Sequence, residues 1–175
     1  MKTYITVGGQ GTRMKSLSPS EKHQLYYGDK KILEHLFDIF PNAILVGDKK
    51  TKSRKETLKE LQGEEDCLIV DCDVIPYGCQ QEPFNKDTIY AFNSEKNKYC
   101  SLLESNGLLS NAFENESITN IKASGVYFVK SIDLLLERMV DENSLASGMI
   151  SADIKKEDTF IRVGDVEDYY EALGL

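Results

Sequence analysis

The chain has 175 residues, of which 41% are hydrophobic, and its formal net charge is −8. This length and apolar content predict one globular domain, residues 1–175, with a single core. The negative charge, with no long basic block to offset it, argues against duplex or genomic nucleic acid as a partner. No apolar run approaches membrane-spanning length, and the chain does not begin with a signal-peptide pattern. The expectation is therefore a soluble cytoplasmic protein with no membrane partner.

Strands and helices are predicted to alternate over the first seventy residues. Three short apolar or β-branched segments are predicted strands, at residues 4–7, 43–46 and 67–70. Two segments between them are predicted helices, at residues 30–40 and 53–61. Ser53 begins the second helix with a capping box, and Gly63 follows its end. The alternation predicts a parallel sheet with helices on both of its faces.

The second half of the chain has a less regular pattern. Further strands are predicted at residues 88–92, 99–103, 124–129 and 159–163, and further helices at 132–140 and 166–173. The polar segment 93–98 separates the first two of these strands, which predicts a hairpin. Asp165 and Gly174 are of the types expected at the two ends of the last helix. Together the elements predict one α/β domain of three layers, with a mixed, mostly parallel sheet.

The cysteines and the densest basic stretch are predicted to have no functional role. The four cysteines contain no Cys-x-x-Cys pair, and the two histidines are not spaced for zinc. We therefore predict reduced, structural thiols, as in an intracellular protein. Residues 49–55, which hold five lysine or arginine side chains, are predicted to be a solvated loop at the start of the second helix.

A glycine-rich loop comes directly after the first strand, where residues 8–14 are Gly-Gly-Gln-Gly-Thr-Arg-Met. Glycine permits positive φ and lets backbone N–H groups approach a phosphate closely. Arg13 and Lys22 add cations of the kind that neutralise a polyphosphate. The dinucleotide-binding pattern fails because Met14 stands in place of its third glycine, and no Gly-Lys-Ser/Thr triplet completes a P-loop. We predict a nucleotide-binding loop rather than a plain turn between a strand and a helix.

Two carboxylates follow the third strand. Asp71 and Asp73 are two positions apart, so on a strand both side chains face the same way, at the carboxyl edge of the sheet. Ligands of open α/β sheets bind at this edge. Mg²⁺ takes one or two carboxylates in proteins and completes its shell with phosphate and water. We predict a Mg²⁺ site at this edge rather than two merely exposed acids.

With these two features the chain resembles the sugar-phosphate nucleotidyltransferases, a family with a Rossmann-like, GT-A-like fold. The family signature is a strand, then Gly-x-Gly-Thr-Arg, and further on Pro-Lys; here Pro19 stands three residues before Lys22. The metal-binding aspartate of the family corresponds to Asp73, with Cys72 in place of the usual glycine. The segment after Val46 looks shorter than is usual in the family. Three more segments resemble parts of the family pattern, namely 31–36, 123–128 and 163–169.

The resemblance implies Mg²⁺-dependent transfer of a nucleotidyl group from an NTP to a sugar 1-phosphate, giving an NDP-sugar and pyrophosphate. It implies that the nucleotide is bound by Val7, Gly8, Gly9, Gln10, Gly11, Thr12 and Arg13. Arg13 is expected to hold the departing pyrophosphate, and Lys22 to bridge the α-phosphate and the incoming phosphate. Asp73 is expected to bind Mg²⁺, and Ser124 and Gly125 to border the acceptor pocket. The expected partners are thus an NTP and a small phosphorylated substrate, with a homo-oligomer left open.

Arg162 is the main departure from the family pattern. Many members have an aspartate at this position, two residues before Gly164, that completes the metal site, and a guanidinium cannot coordinate Mg²⁺. Asp165 or Asp158 could take its place, or Arg162 itself could neutralise phosphate. Three alternatives therefore stay open. They are a nucleotidyltransferase for a non-sugar phosphate, a GT-A glycosyltransferase with an Asp-x-Asp metal motif, and a nucleotide-binding homologue with weakened catalysis.

Overall fold

The computed structural model of the protein describes residues 1–7, 22–48, 52–79, 83–157 and 159–175. The strands in these ranges are β1 Lys2–Thr6, β2 Tyr26–Tyr27, β3 Lys30–Lys31, β4 Ile44–Val46, β5 Glu65–Asp71, β6 Val74–Pro76, β7 Thr88–Asn93, β8 Ser101–Ser105, β9 Leu108–Phe113, β10 Ile121–Ser131, β11 Asp153–Lys156 and β12 Phe160–Arg162. The α-helices are α1 Ile32–Ile39, α2 Arg54–Leu58, α3 Ile132–Arg138 and α4 Val166–Leu173. Short 3₁₀ helices lie at Lys22–Gln24, Lys59–Leu61 and Leu145–Gly148. Every predicted strand and helix is present, with ends that differ by a few residues.

Eight of the described strands form the main sheet, in the order β4-β1-β5-β10-β7-β11-β9-β8. β1 pairs in parallel with β4 and β5, and β7 pairs in parallel with β11. β10 is antiparallel to β5 and β7, and β9 is antiparallel to β11 and β8. β9 and β10 therefore run opposite to the other six strands, which confirms the predicted mixed, mostly parallel sheet. β12 pairs with β6 outside this sheet.

Helices cover both faces of the sheet, as predicted. Along β5 the side chains alternate between two cores, with Cys67 and Ile69 on one face and Leu68 and Val70 on the other. Helices α2 and α3 pack into the first core, and α1 and α4 pack against the second. A strand covered on both faces is apolar along its whole length, which explains the unbroken apolar run in β5. Among the described residues, no helix has the length and apolar character that crossing a membrane requires.

The helix ends agree closely with the capping residues in the sequence. The Asp165 side chain accepts a hydrogen bond from the third backbone N–H of α4, and Gly174 ends the helix at φ 72°. At α2, Ser53 Oγ accepts a hydrogen bond from Glu56 N at 3.2 Å. The Glu56 carboxylate, however, accepts from Lys52 N and not from Ser53 N. The predicted capping box is therefore only half formed. Helix α2 nevertheless begins directly after Ser53, as predicted.

The predicted hairpin between the strands at 88–92 and 99–103 is wrong. β7 pairs with β10 and β11, whereas β8 forms its hairpin with β9 across Asn106 and Gly107. These two residues have φ angles of 54° and 80°. Both central positions of a type I′ turn need positive φ, and Asn-Gly is the pair that adopts it at least cost. The sequence therefore does hold the signal for this hairpin, at the turn and not in the strands.

All four cysteines are free thiols, in agreement with the sequence analysis. Cys67 and Cys100 are buried, and burial raises the pKa of each to about 12. Burial also raises the pKa of Cys79, to about 11. A thiol with such a pKa is protonated at neutral pH and is therefore a poor nucleophile. These side chains act as small apolar residues in the two cores.

Lys122 is a buried cation near the start of β10. Its side chain is fully buried, and its Nζ donates to Ser101 Oγ at 2.7 Å and to Ser117 Oγ at 3.5 Å. No carboxylate of the described residues lies within ion-pair distance of it. Burial disfavours the charged form and so lowers the pKa of Lys122, and no such carboxylate offsets this effect. The folded chain therefore holds this proton less tightly than the unfolded chain does.

We expect Lys122→Met to raise the free energy of unfolding by about 1 kcal/mol at neutral pH, because methionine fills the volume without a buried charge. Since the folded pKa is lowered, the wild-type chain gains stability as pH rises from that value towards the ordinary lysine pKa of about 10.4. The advantage of Lys122→Met should shrink over the same range. Denaturant unfolding at neutral and alkaline pH measures both effects. A variant less stable than wild type at neutral pH would contradict the prediction.

Candidate active site

The carboxyl ends of β1 and β5 meet at one edge of the sheet. Thr6 lies opposite Asp71 in the register, and Cys72 N donates to Thr6 O at 3.2 Å. Val7 follows β1, and its N donates to Val46 O at 2.9 Å. The glycine-rich segment follows Val7 in the sequence. Its residues Gly8, Gly9, Gln10, Gly11, Thr12 and Arg13 lie outside the described residues, and their roles stay predictions.

Lys22 and Asp73 are in contact although 51 positions separate them. Lys22 Nζ donates to Asp73 Oδ2 at 3.0 Å, and the two side chains are only 15% and 17% exposed. Lys22 begins a 3₁₀ turn in which His23 is buried. Leu25, also buried, accepts a hydrogen bond from Ile32 N at 2.9 Å at the start of α1. This anchoring fixes the backbone of Lys22 next to the edge of the sheet.

Asp73 lies in the two-residue turn between β5 and β6. Burial alone would raise the pKa of its carboxyl group, but the Lys22 ammonium and the Arg162 guanidinium outweigh burial and hold the pKa below its ordinary value. The group is therefore ionised at neutral pH. Asp73 O also accepts a hydrogen bond from Val163 N at 2.9 Å, which joins this turn to β12. An ionised carboxylate held in this way can bind a cation or orient Lys22.

Asp71 lines the same polar cavity as Asp73, which agrees with the prediction that the two carboxylates project together. Its surroundings differ, however. Asp71 Oδ2 accepts a hydrogen bond from Arg54 Nη2 at 2.6 Å, and Oδ1 accepts one from Thr6 Oγ1 at 3.1 Å. Both oxygens thus have partners within the chain, and the residue is only 6% exposed. Asp71 is placed to hold Arg54 and the ends of β1 and β5 together.

Arg54 is a cavity residue that the sequence analysis missed. It belongs to the basic segment 49–55, and the prediction of a solvated loop is wrong for this side chain, which lines the cavity. Burial would lower the pKa of Arg54, but the charge of Asp71 raises it well above its ordinary value. The position directly after the N-cap Ser53 was visible in the sequence. The distant partner in β5 was not, because only the fold brings the two together.

β10 bends at the two residues predicted to border the acceptor pocket, Ser124 and Gly125. Its pairing with β7 shifts register between Ala123 and Tyr127, and Gly125 has a φ of 94°. Ser124 is fully buried, and its Oγ accepts a hydrogen bond from Val126 N at 3.2 Å. Its hydroxyl therefore stabilises the bend. Gly125, in contrast, lines the cavity.

We expect Gly125→Ala to lower the free energy of unfolding by about 3 kcal/mol. The added Cβ would lie 2.9 Å from Asp71 Oδ2, and a φ of 94° strains any L-residue. Gly107→Ala is the matched control, because its φ is 80° but a Cβ there meets nothing within 4 Å; it should cost about 1 kcal/mol. Denaturant unfolding of both variants separates backbone strain from the collision with Asp71. Equal losses for the two variants would show that the contact between the added Cβ and Asp71 does not change the free energy of unfolding.

Arg162 lies on β12 in the cavity wall. Its Cζ is 4.6 Å from the ring centre of Tyr99 and 5.3 Å from that of Phe92, close enough for cation–π attraction. Its Nη1 donates to the carbonyl oxygen of Ala123 at 3.2 Å and to that of Ser124. Within the described ranges, no carboxylate forms an ion pair with it. Its guanidinium is thus held by aromatic rings and backbone carbonyls.

Asp165 and Asp168 form an ion-pair network with Lys98 behind Gly164. Lys98 Nζ lies 2.8 Å from Asp165 Oδ2 and 2.8 Å from Asp168 Oδ1. A Cβ on Gly164 would lie 3.3 Å from Asp168 Oδ2 and 3.5 Å from Asp73 Oδ2, so Gly164 separates the network from Asp73. Asp165 also caps α4. Asp165 is one of the two predicted replacements for the missing metal ligand. In the structure its carboxylate instead pairs with Lys98 and caps α4.

The described residues fit a divalent cation held by one protein carboxylate. Asp73 Oδ1 has no hydrogen-bond partner among them, whereas both oxygens of Asp71 are engaged. Metal-binding side chains do not cluster in groups of three or more in the described part of the chain. Asp158 lies outside that part. Mg²⁺ commonly relies on one or two carboxylates, with phosphates and water in its other positions, and Asp73 alone meets this minimum.

Comparison with solved structures identifies the fold. No protein-family model and no curated protein matches the chain. A CTP:phosphocholine cytidylyltransferase from Streptococcus pneumoniae is similar with a TM-score of 0.75 and 14% identity, over 97% of this chain and 96% of that one. A putative glucose-1-phosphate thymidylyltransferase from Bacillus anthracis has a TM-score of 0.70 and 13% identity, over 99% and 94%. A UDP-glucose pyrophosphorylase complexed with UDP-glucose has a TM-score of 0.73 and 14% identity, over 99% and 97%. The chain therefore has the fold of the sugar-phosphate nucleotidyltransferases, as its sequence predicts.

Proposed function

We propose that the chain is a nucleotidyltransferase that joins the nucleotidyl group of an NTP to the phosphate of a small phosphorylated acceptor and releases pyrophosphate. The first candidate acceptor is a sugar 1-phosphate, which implies a cytoplasmic role in making NDP-sugars. The observation that supports this proposal is the 3.0 Å contact between Lys22 Nζ and Asp73 Oδ2. A fixed cation and a carboxylate meet there, near the carboxyl ends of β5 and of β1, the strand that precedes the glycine-rich segment in the sequence.

The reaction needs positioning and charge neutralisation more than covalent help from the protein. An oxygen of the acceptor phosphate forms a bond to the α-phosphorus of the NTP while the bond to pyrophosphate breaks. Lys22, held beside Asp73, donates hydrogen bonds to the α-phosphate and to the acceptor phosphate as charge develops on them. Arg13, in the glycine-rich loop, neutralises the departing pyrophosphate. Mg²⁺, bound through Asp73, would supply further positive charge to these oxygens.

An acceptor without a sugar is the second candidate. The similarity to a phosphocholine cytidylyltransferase, with a TM-score of 0.75 over 97% of this chain, favours it. The cavity wall also includes an aromatic side chain and a carboxylate, namely Tyr127 and Glu114. Aromatic rings and a carboxylate can surround an organic cation as well as they can contact sugar hydroxyls.

The experiment that tests the proposal is an assay of pyrophosphate release with Mg²⁺, each NTP in turn, and a panel of sugar 1-phosphates and phosphocholine. We expect one NTP–acceptor pair to release pyrophosphate rapidly, and mass spectrometry to find the joined product. Consumption of an NDP-sugar, with no pyrophosphate from any NTP, would instead indicate a GT-A glycosyltransferase. Binding of a nucleotide without any turnover would indicate a homologue that has lost catalysis.

A further inference from the structure

Among the described residues, the guanidinium of Arg162 has hydrogen-bond partners on one side only. Nη1 donates to the carbonyl oxygens of Ala123 and Ser124. Nε is buried, and neither Nε nor Nη2 has an acceptor among the described residues. Nε and Nη2 form the edge of an arginine that binds two oxygens of one phosphate or carboxylate. A buried donor without an acceptor is costly, and a native structure that keeps one calls for an explanation.

The charge of Arg162 is also the one left without a carboxylate in the described cavity wall. Arg54 is paired with Asp71 at 2.6 Å, and Lys98 is paired with Asp168 at 2.8 Å. Arg162 rests instead on the rings of Tyr99 and Phe92. The Arg162 charge also acts on the Asp73 carboxylate, but the two form no ion pair among the described contacts. The rings and the two carbonyls therefore fix the guanidinium without a direct counter-charge. The chain therefore keeps a positioned positive charge available in this wall.

We infer that Arg162 binds a phosphoryl oxyanion, and specifically the phosphate of the acceptor substrate. This assignment rests on the proposed nucleotidyl transfer. The two carbonyls that hold Nη1 belong to β10, immediately before Gly125 in the cavity wall. β10 lies on the far side of β5 from β1, the strand that leads into the glycine-rich loop. Arg162 thus contacts β10, which β5 separates from β1, and this placement suits the phosphate of the acceptor rather than the phosphates of the nucleotide.

Binding of inorganic phosphate, measured by calorimetry without nucleotide and with EDTA, tests this inference directly. The variants are Arg162→Gln, which removes the charge, and Arg162→Lys, which keeps the charge but loses the paired donors. Arg138→Gln is the matched control, since Arg138 is exposed at the end of α3. We expect phosphate affinity to fall about tenfold in Arg162→Gln, to fall less in Arg162→Lys, and to stay unchanged in the control. Pyrophosphate affinity should fall less than phosphate affinity.

Kinetics of the transfer reaction add a second readout. Arg162→Gln should raise KM for the acceptor while KM for the NTP changes little. Phosphate affinity within twofold of wild type in a folded Arg162→Gln variant would overturn the inference, as would failure of both Arg162 variants to fold. A larger loss for pyrophosphate than for phosphate would overturn the assignment to the acceptor. If phosphate binding depends on Arg162 but the wild-type chain releases no pyrophosphate with any substrate pair, the anion site stands and the proposed function fails.

Discussion

Lys22→Ala is expected to lower the turnover number for pyrophosphate release at least about 100-fold, which corresponds to about 3 kcal/mol of transition-state stabilisation. The amine is held 3.0 Å from Asp73 by a turn whose buried residues fix its backbone. A cation placed in advance needs no rearrangement when charge develops on the transferring phosphate, so its loss acts mainly on turnover. The measurement is the initial rate of pyrophosphate release at saturating substrates.

Lys30→Ala is the matched control for Lys22→Ala. Lys30 is exposed and pairs with the exposed Asp38 at 2.7 Å, so this variant removes the same formal charge away from the cavity. Its turnover should stay within twofold of wild type, because a surface ion pair of this kind contributes little. Circular dichroism and thermal unfolding should show that both variants are folded. If Lys22→Ala also keeps turnover within twofold, Lys22 has no part in the chemistry.

The elements with strong local signals were predictable from the sequence. α4 begins at the cap Asp165 and ends at Gly174, as its local sequence indicates. β5 was visible because a strand covered on both faces must be apolar throughout. The hairpin of β8 and β9 was not predicted, because strand patterns alone do not say which strands pair; the signal for this pair is the Asn106-Gly107 turn. The order of the strands could not be predicted from local sequence patterns either, because it depends on pairings between distant segments such as β10 and β5.

The candidate site was predictable in part for similar reasons. Lys22 and Asp73 were each singled out by local patterns, and the fold brings them together. Arg54 was missed because a basic run looks like solvated surface until its partner Asp71 is known. Arg162 was recognised as unusual, but its sequence position says nothing of the rings of Tyr99 and Phe92 on which it rests. A single sequence does not show which distant residues a charged side chain will contact in the fold.

Asp73→Asn is expected to lower turnover at least about 100-fold and to remove its dependence on Mg²⁺, because the amide keeps the shape of the side chain and loses its charge. Asp71→Asn is the matched variant two positions away. It should lower the free energy of unfolding by about 2 kcal/mol, because it leaves the Arg54 guanidinium without its counter-charge. Its turnover, measured well below its unfolding temperature, should fall much less.

The two variants separate a carboxylate that acts on the substrates from one that holds the cavity wall. Asp73 Oδ1 has no partner among the described residues and can accept a cation, whereas Thr6 and Arg54 engage both oxygens of Asp71. The measurements are turnover as a function of Mg²⁺ concentration and thermal unfolding of each variant. If Asp71→Asn damages turnover more than Asp73→Asn while remaining folded, the roles are reversed. In that case Asp71 is the metal ligand, and the Asp-x-Asp arrangement of a GT-A glycosyltransferase becomes the better description of this site.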